Sequence, residues 1–190
     1  MKKILICGDS FAADWTVKYN GTGWVNMLCN DYDVTNVAQA GVGEYKIYKQ
    51  LIGQDLSKFD SVIVSHTSFY RIPVKEHPLY QNDNLHKNCD LIYSDLKDKS
   101  DIPLVKIAVD FFENYYDIDN AIFMHGLLLK EIDKLSDNLL NVTFFDYFGI
   151  YGLTNLHQFD DVFNNNKGNI NHMNDEGNKI IYNRIKKLLL

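Results

Sequence analysis

The sequence predicts a three-layer α/β/α sandwich built on a short, mainly parallel sheet. Three observations point there. The apolar run Ile4-Leu5-Ile6-Cys7 has the length of a buried strand and is stopped by Gly8-Asp9-Ser10. Val34-Thr35-Asn36-Val37 reads as a second, β-branched strand, and a loop bearing Gly41 and Gly43 joins it to a helix over 44–51 that Gly53 ends. Asp60-Ser61-Val62-Ile63-Val64-Ser65 is the clearest strand of the three. Strands that alternate with helical segments favour parallel pairing through right-handed crossovers.

The remaining elements follow in chain order. Between the first two strands, 23–29 has the apolar spacing of a short helix packed on the sheet, and Asp31-Tyr32-Asp33 turns the chain. After the third strand the sequence runs His66-Thr67-Ser68-Phe69-Tyr70-Arg71-Ile72-Pro73, and from there to about residue 84 it is aromatic, proline-bearing and without period. Loops of that length are usually functional or mobile. Helices are predicted over 84–98, over 104–116, and from Asp119 as N-cap to about residue 135. In the second of these, Leu104, Ile107, Ala108, Phe111, Phe112 and Tyr115 share one face, which reads as core. Asn141-Val142-Thr143-Phe144-Phe145-Asp146 is a late strand. An asparagine-rich passage then leads to a last helix with Asn174 as N-cap, Asp175 and Glu176 in its first turn and Lys186 and Lys187 in its last, which suits the helix dipole. Its Ile180, Ile181, Ile185, Leu188 and Leu189 mark a docked amphipathic helix rather than a membrane anchor. With no repeat and no low-complexity linker, residues 1–190 are expected to form a single domain.

Composition excludes several classes of function. The 190 residues are 46% hydrophobic and 23% charged, with a formal net charge of -6 and scattered basic residues, so no stripe exists to neutralise nucleic-acid phosphates. Cys7, Cys29 and Cys89 are odd in number and lack paired spacing, which points to free thiols in a reducing compartment. The first strand lies too close to Met1 for a secretion leader, and no apolar run approaches the ~20 residues of a membrane span. A cytoplasmic protein without a membrane partner is expected. His66, His77, His86 and Cys89 fit no closed tetrahedral spacing, so no metal is expected. Nothing in the sequence sets the oligomeric state.

In a parallel sheet the exits of the first three strands share one edge, and that edge gathers Ser10, Gly41 and the pair Thr67-Ser68. Acyl transfer needs what such an edge supplies: a hydroxyl nucleophile, backbone N–H donors for a developing oxyanion, and a base. His172, held just ahead of the last helix, is the base this arrangement requires.

On these residues the chain resembles the GDSL, or SGNH, hydrolase family across most of its length. Gly8-Asp9-Ser10 stands where the family has its nucleophile block, Gly41 lies five residues beyond Asn36 as the family's oxyanion glycine does, and Asn169-Ile170-Asn171-His172 is similar to its Asp-x-x-His block. The resemblance implies a flavodoxin-like fold, Ser10 as nucleophile, His172 as general base, and the N–H groups of Ser10 and Gly41 as oxyanion donors. It also implies a serine esterase that needs no cofactor and removes a small acyl group, such as acetate, from a carbohydrate. The same serine and histidine would serve a sugar O-acyltransferase, and a decayed site would leave a carbohydrate-binding protein.

Two departures from the family pattern stand out. The third block, Gly-x-Asn-Asp in the family, reads Ser65-His66-Thr67-Ser68 here, so Thr67 or Ser68 would have to replace the Asn donor. Asn169 stands where the family has Asp; it can fix the imidazole tautomer without supplying a charge, and Asp146, Asp160 or Asp161 are alternative sources of a carboxylate. Tyr70 and Arg71 are expected to bind substrate, since guanidinium groups match anions and aromatic faces stack on sugar rings.

Overall fold

Helices cover both faces of a five-stranded parallel sheet in the computed structural model, which describes residues 1–17, 22–145, 152–168 and 172–190. The strands are β1 (Lys3–Gly8), β2 (Asp33–Asn36), β3 (Ser61–Ser65), β4 (Leu139–Thr143) and β5 (Leu156–Gln158), in the order β2-β1-β3-β4-β5. This is the flavodoxin-like order, whose direction of winding reverses between β1 and β3. The exits of β1, β2 and β3 therefore lie side by side at the reversal, where crossover loops splay apart.

Alternation along β1 builds two cores. Ile4 and Ile6 join Ile63 and Val142 beneath α1 (Trp24–Leu28) and α7 (Asp175–Leu188), which contribute Trp24, Leu28, Ile181 and Ile185. Leu5 and Cys7 join Val62 and Val64 on the other face, beneath Ile47 and Leu51 of α2 (Glu44–Ile52) and Ile132 of α5 (Ile118–Asp133). With both faces covered, the strands read as unbroken apolar runs. Each Ile or Leu buried this way contributes about 1.5–3 kcal/mol.

The last helix starts as the sequence predicts. Asn174 Oδ1 accepts the Gly177 N–H at 2.9 Å, and Gly177 is needed for close approach, because a Cβ there would lie 2.8 Å from Asn166 Cβ. Lys186 pairs with Asp31 at 2.8 Å and Lys2 Nζ donates to the Leu189 carbonyl at 2.6 Å, fastening α7 along the sheet.

The structure corrects the sequence reading in the middle of the chain. The predicted helix over 84–98 reduces to α3 (Tyr93–Leu96) and a 3-10 turn, Lys97–Lys99. Other partners take the backbone bonds that a helix would have used: Asp83 Oδ1 accepts from the N–H groups of Leu85 and His86, and the Asp90 N–H donates to the Gly41 carbonyl while the Asp90 carboxylate accepts from Gly43 and Val74 in other loops. Cys89 thus lies in a loop. The N-cap of α5 is Asp117, not Asp119, because its carboxylate accepts from the Asp119 and Asn120 N–H groups. In α4 (Pro103–Asn114) the face expected to be core is mostly exposed: of its six residues only Ala108 is buried and Phe112 half-buried, Leu104, Ile107, Phe111 and Tyr115 face solvent, and the helix docks instead through Val105, Ala108 and Val109. Two short elements, β5 and α6 (Asp160–Asn165), were too brief and too polar to leave a periodic signal. Asp146 lies outside the described residues.

Candidate active site

Ser10 sits on a tight turn at the mouth of β1. The Asp9 carbonyl accepts from Ala12 and Ala13 N–H groups, and Asp9 Oδ1 accepts from Phe11 N–H at 3.0 Å. Gly8 makes this exit possible: its φ is +152°, and a Cβ would fall 2.6 Å from Ser65 Cβ across the β1–β3 pair. Gln50 of α2 brackets the same glycine, its Oε1 accepting the Gly8 N–H at 2.7 Å and its Nε2 donating to the Gly8 carbonyl at 3.1 Å.

His172 comes to the cavity beside Ser10 from the opposite end of the chain. The Lys167–Met173 bridge and the bond from Gly168 N–H to the His172 carbonyl close the loop that carries it. Ser10 and His172 line one cavity of about 130 Å³, walled by Phe11, Trp15, Trp24 and Met173. The imidazole is gripped between rings, with Phe11 at 4.8 Å and Trp15 edge-on at 4.6 Å. Trp15 Nε1 also donates to the Ser10 carbonyl at 2.7 Å, so one indole orients both partners.

Gly41 supplies the loop after β2. Its φ of +74° suits glycine, and a Cβ would lie 2.5 Å from Cys89 Cβ. Its carbonyl accepts from Arg71 Nη1 at 3.0 Å and from Asp90 N–H at 2.9 Å, which fastens the glycine loop to the long loop after β3. Among the described residues, the N–H groups of Ser10 and Gly41 donate to no internal acceptor.

Thr67 is engaged elsewhere. Its N–H donates to Glu44 Oε2 at 3.2 Å and its carbonyl accepts from His125 Nε2 at 3.0 Å. Ser68 and Arg71 line a separate groove of about 390 Å³, and Tyr70, packed on Phe69, faces another. The structure thus brings Ser10 and His172 together and leaves Thr67, Ser68, Tyr70 and Arg71 outside their cavity. Asp161 commits its carboxylate to Arg184 at the surface, at 2.7 Å, which removes it as a partner for His172. Asn169 lies outside the described residues. Among those residues, no cluster of three or more His, Cys, Asp or Glu side chains is arranged to hold a metal ion, and no helix is long and apolar enough to cross a membrane.

Burial shapes the charges behind the site. It raises the Asp9 carboxyl to about 6, against the pull of the Phe11 N–H and the Arg71 charge. Burial also opposes ionisation of Glu44, yet the charge of His66 and bonds from His125 and His66 bring it down to about 2.

No family model matches the chain, and no curated protein does. Among solved structures, one from Desulfitobacterium hafniense DCB-2, provisionally described as a lipolytic protein of the G-D-S-L family, aligns over 100% of both chains with 12% identity and a TM-score of 0.48.

Sequence reasoning missed Trp15, Gln50 and the Glu44–His66 pair. Glu44 did leave a signal: with Ile47 and Leu51 it occupies positions i, i+3 and i+7 of one helix face, so a carboxylate was placed on a buried stripe. Trp15 and Gln50 left none, since their roles depend on where the turn after β1 places its carbonyls.

Proposed function

We propose that this chain is a serine esterase of the GDSL/SGNH type that removes a small acyl group, acetate in the first instance, from a carbohydrate. The observation that carries the reading is the shared cavity of Ser10 and His172 at the sheet reversal. In the first half-reaction, Ser10 Oγ attacks the ester carbonyl carbon as its proton passes to the His172 imidazole. The negative oxygen that forms is received by the Ser10 and Gly41 N–H groups, donors aimed where charge develops. Collapse breaks the bond to the alcohol, which leaves with the proton from His172, and Ser10 remains acylated. Water then repeats the sequence: His172 takes its proton, the hydroxyl adds to the acyl carbon, and the acid leaves as Ser10 regains its hydrogen.

By resemblance, Asn169 would orient the imidazole. Arg71, joined to Gly41, and Tyr70 would contact the sugar from the neighbouring grooves. The unbonded thiols of Cys7, Cys29 and Cys89 suit a reducing compartment such as the cytoplasm.

The test is covalent. A fluorophosphonate probe should label native protein at Ser10, and p-nitrophenyl acetate should be hydrolysed; Ser10→Ala should abolish both and His172→Ala should reduce turnover by at least about 1000-fold. Commitment of the Thr67 N–H to Glu44 and of its carbonyl to His125, away from the cavity of Ser10 and His172, favours a second reading, a carbohydrate-binding protein without turnover. An unlabelled Ser10 in folded protein would decide for that reading.

A further inference from the structure

Three polar side chains that the esterase chemistry leaves unused line one groove of about 390 Å³: Ser68 and Arg71 from the loop after β3, and His125 from α5. His125 is 5% exposed, and its Nε2 lies 3.0 Å from the Thr67 carbonyl and 3.5 Å from Glu44 Oε2. A carbonyl only accepts, so Nε2 carries a hydrogen and Nδ1 is the nitrogen left for another partner. Among the described residues that nitrogen bonds to nothing. The Ser68 hydroxyl, on a residue 8% exposed, is unbonded in the same way. Arg71 donates from Nη1 to the Gly41 carbonyl at 3.0 Å, yet its Nε is buried without an acceptor and its Nη2 finds none among the described residues. Polar groups on side chains this withdrawn are normally paired, so three unpaired ones in a single groove call for a ligand.

Charge sets the sign of that ligand. Among the described residues no carboxylate stands within ion-pair distance of Arg71. The neighbouring acids are matched already: Asp90 pairs with Lys46 at 2.6 Å, Glu44 with His66 at 2.8 Å, and the Asp117 carboxylate caps α5 by accepting from the Asp119 and Asn120 N–H groups. Asp9 attracts Arg71 from farther off, and burial opposes its ionisation. A guanidinium with an unused edge takes a carboxylate in a planar fork of two bonds, and one cation suits one negative charge better than a phosphate dianion. Tyr115 and Tyr116 line the same groove and offer aromatic faces to a sugar ring. We propose that this groove holds the carbohydrate part of the substrate and that this part is a uronic acid, its carboxylate on Arg71 and its hydroxyls on Ser68 and His125. The proposal rests on the carbohydrate ligand named above, which both readings of the Ser10 cavity share. Gly41 joins the two places: its carbonyl holds Arg71 while its N–H is the proposed oxyanion donor, so one residue lies between the bound acid and the reacting ester.

The experiment is binding to the full chain carrying Ser10→Ala, so that turnover plays no part. Methyl glucuronide and methyl galacturonide are each compared with the neutral glucoside and galactoside, which differ only in bearing a hydroxymethyl group where the acid has its carboxylate. Calorimetric titration gives the affinities, and nuclear magnetic resonance follows the Arg71 Nε–H signal. At least one uronide should bind about 10-fold or more tighter than its neutral counterpart and should shift that signal. Arg71→Gln should erase the preference, and Ser68→Ala should weaken uronide binding about 3- to 10-fold. Should Arg71→Gln fail to fold, because it also releases the Gly41 carbonyl, the Nε–H signal of the chain with Arg71 intact decides. Equal binding of acid and neutral glycosides, a preference that survives Arg71→Gln in folded protein, or an Arg71 signal indifferent to both uronides overturns the proposal. Acetate binding as tightly as the uronide would overturn it too, by reducing the groove to a bare carboxylate site. Fluorophosphonate labelling of Ser10 in the native chain is read separately: a labelled serine beside a groove that ignores the carboxylate leaves the esterase reading standing and removes this one.

Discussion

Glu44 Oε1 stands 2.8 Å from His66 Nδ1, with both side chains withdrawn from solvent. On its other side His66 Nε2 lies 2.9 Å from Asn141 Oδ1, and Asn141 Nδ2 donates to the Thr154 carbonyl. That arrangement leaves Asn141 an acceptor toward the imidazole, so both ring nitrogens carry hydrogen and His66 is a cation. Burial works against that cation, but the Glu44 charge and the bonds to Glu44 and Asn141 raise its pKa.

A pH signature follows for Glu44→Gln. The Glu44 contribution is present above the ordinary value of 4.5 and is lost as pH falls toward about 2. The His66 contribution is present below its ordinary 6.5 and is lost as pH rises through its raised folded value. The pair therefore stabilises most between these limits. Glu44→Gln should cost about 3–5 kcal/mol in urea unfolding at pH 6, by leaving a buried cation without its counter-charge, and much less at pH 3. Equal losses at both pH values would contradict the ion pair.

Asp9 has the opposite sign. Its carboxyl, ordinarily 3.8, is raised to about 6, so between those values the folded chain holds more protons than the unfolded one and stability falls as pH rises. Asp9→Asn keeps an oxygen for the Phe11 N–H and removes the titration. Relative to the native chain it should gain up to about 3 kcal/mol between pH 3.8 and 6, measured by denaturant unfolding at both ends of that window.

Gly41→Ala should strain the loop twice, through its φ of +74° and through the 2.5 Å approach to Cys89 Cβ. A loss of about 1–3 kcal/mol is expected from the backbone alone, with reduced hydrolysis of p-nitrophenyl acetate. Adding Cys89→Gly should recover the steric share, whereas Cys89→Ala, which keeps the offending atom, should recover none. A double-mutant cycle in thermal unfolding separates the two.

Trp15→Phe keeps a ring beside His172 and removes the 2.7 Å donation to the Ser10 carbonyl. A lost hydrogen bond of about 1–1.5 kcal/mol predicts a roughly 10-fold drop in kcat, with KM for the small ester little changed and the melting temperature nearly native. Unchanged kcat would show that the indole only packs.

The strands were legible because both faces of the sheet are covered, so β1 and β3 carry unbroken apolar runs that end in turn residues. The two candidate residues that line one cavity were legible for a related reason: Ser10 and His172 each abut an element boundary, where a strand stops or a capped helix begins. What escaped was decided by distant partners. The segment 84–98 has helical composition, yet Asp83 draws the Leu85 and His86 N–H groups into a turn, and Asp90 ties the segment to the Gly41–Gly43 loop, its N–H to the Gly41 carbonyl and its carboxylate to the Gly43 N–H. Periodicity identified an apolar face on α4 without telling whether the rest of the chain would cover it. The engagement of Thr67 by Glu44 and His125 depends on α2 and α5 meeting beneath one loop.

Trp24 and Met173 wall the recess that holds Ser10 and His172, and both also belong to the larger core. Room for a guest and durability of the scaffold are therefore a single variable. Trimming Trp24 to admit something bulkier would remove a fully buried ring, at about 3–5 kcal/mol, together with its donation to the Phe11 carbonyl. A lineage drifting toward larger acyl groups would first have to gain reserve stability on the far side of the sheet, around Leu5 and Ile47, before the near side could yield.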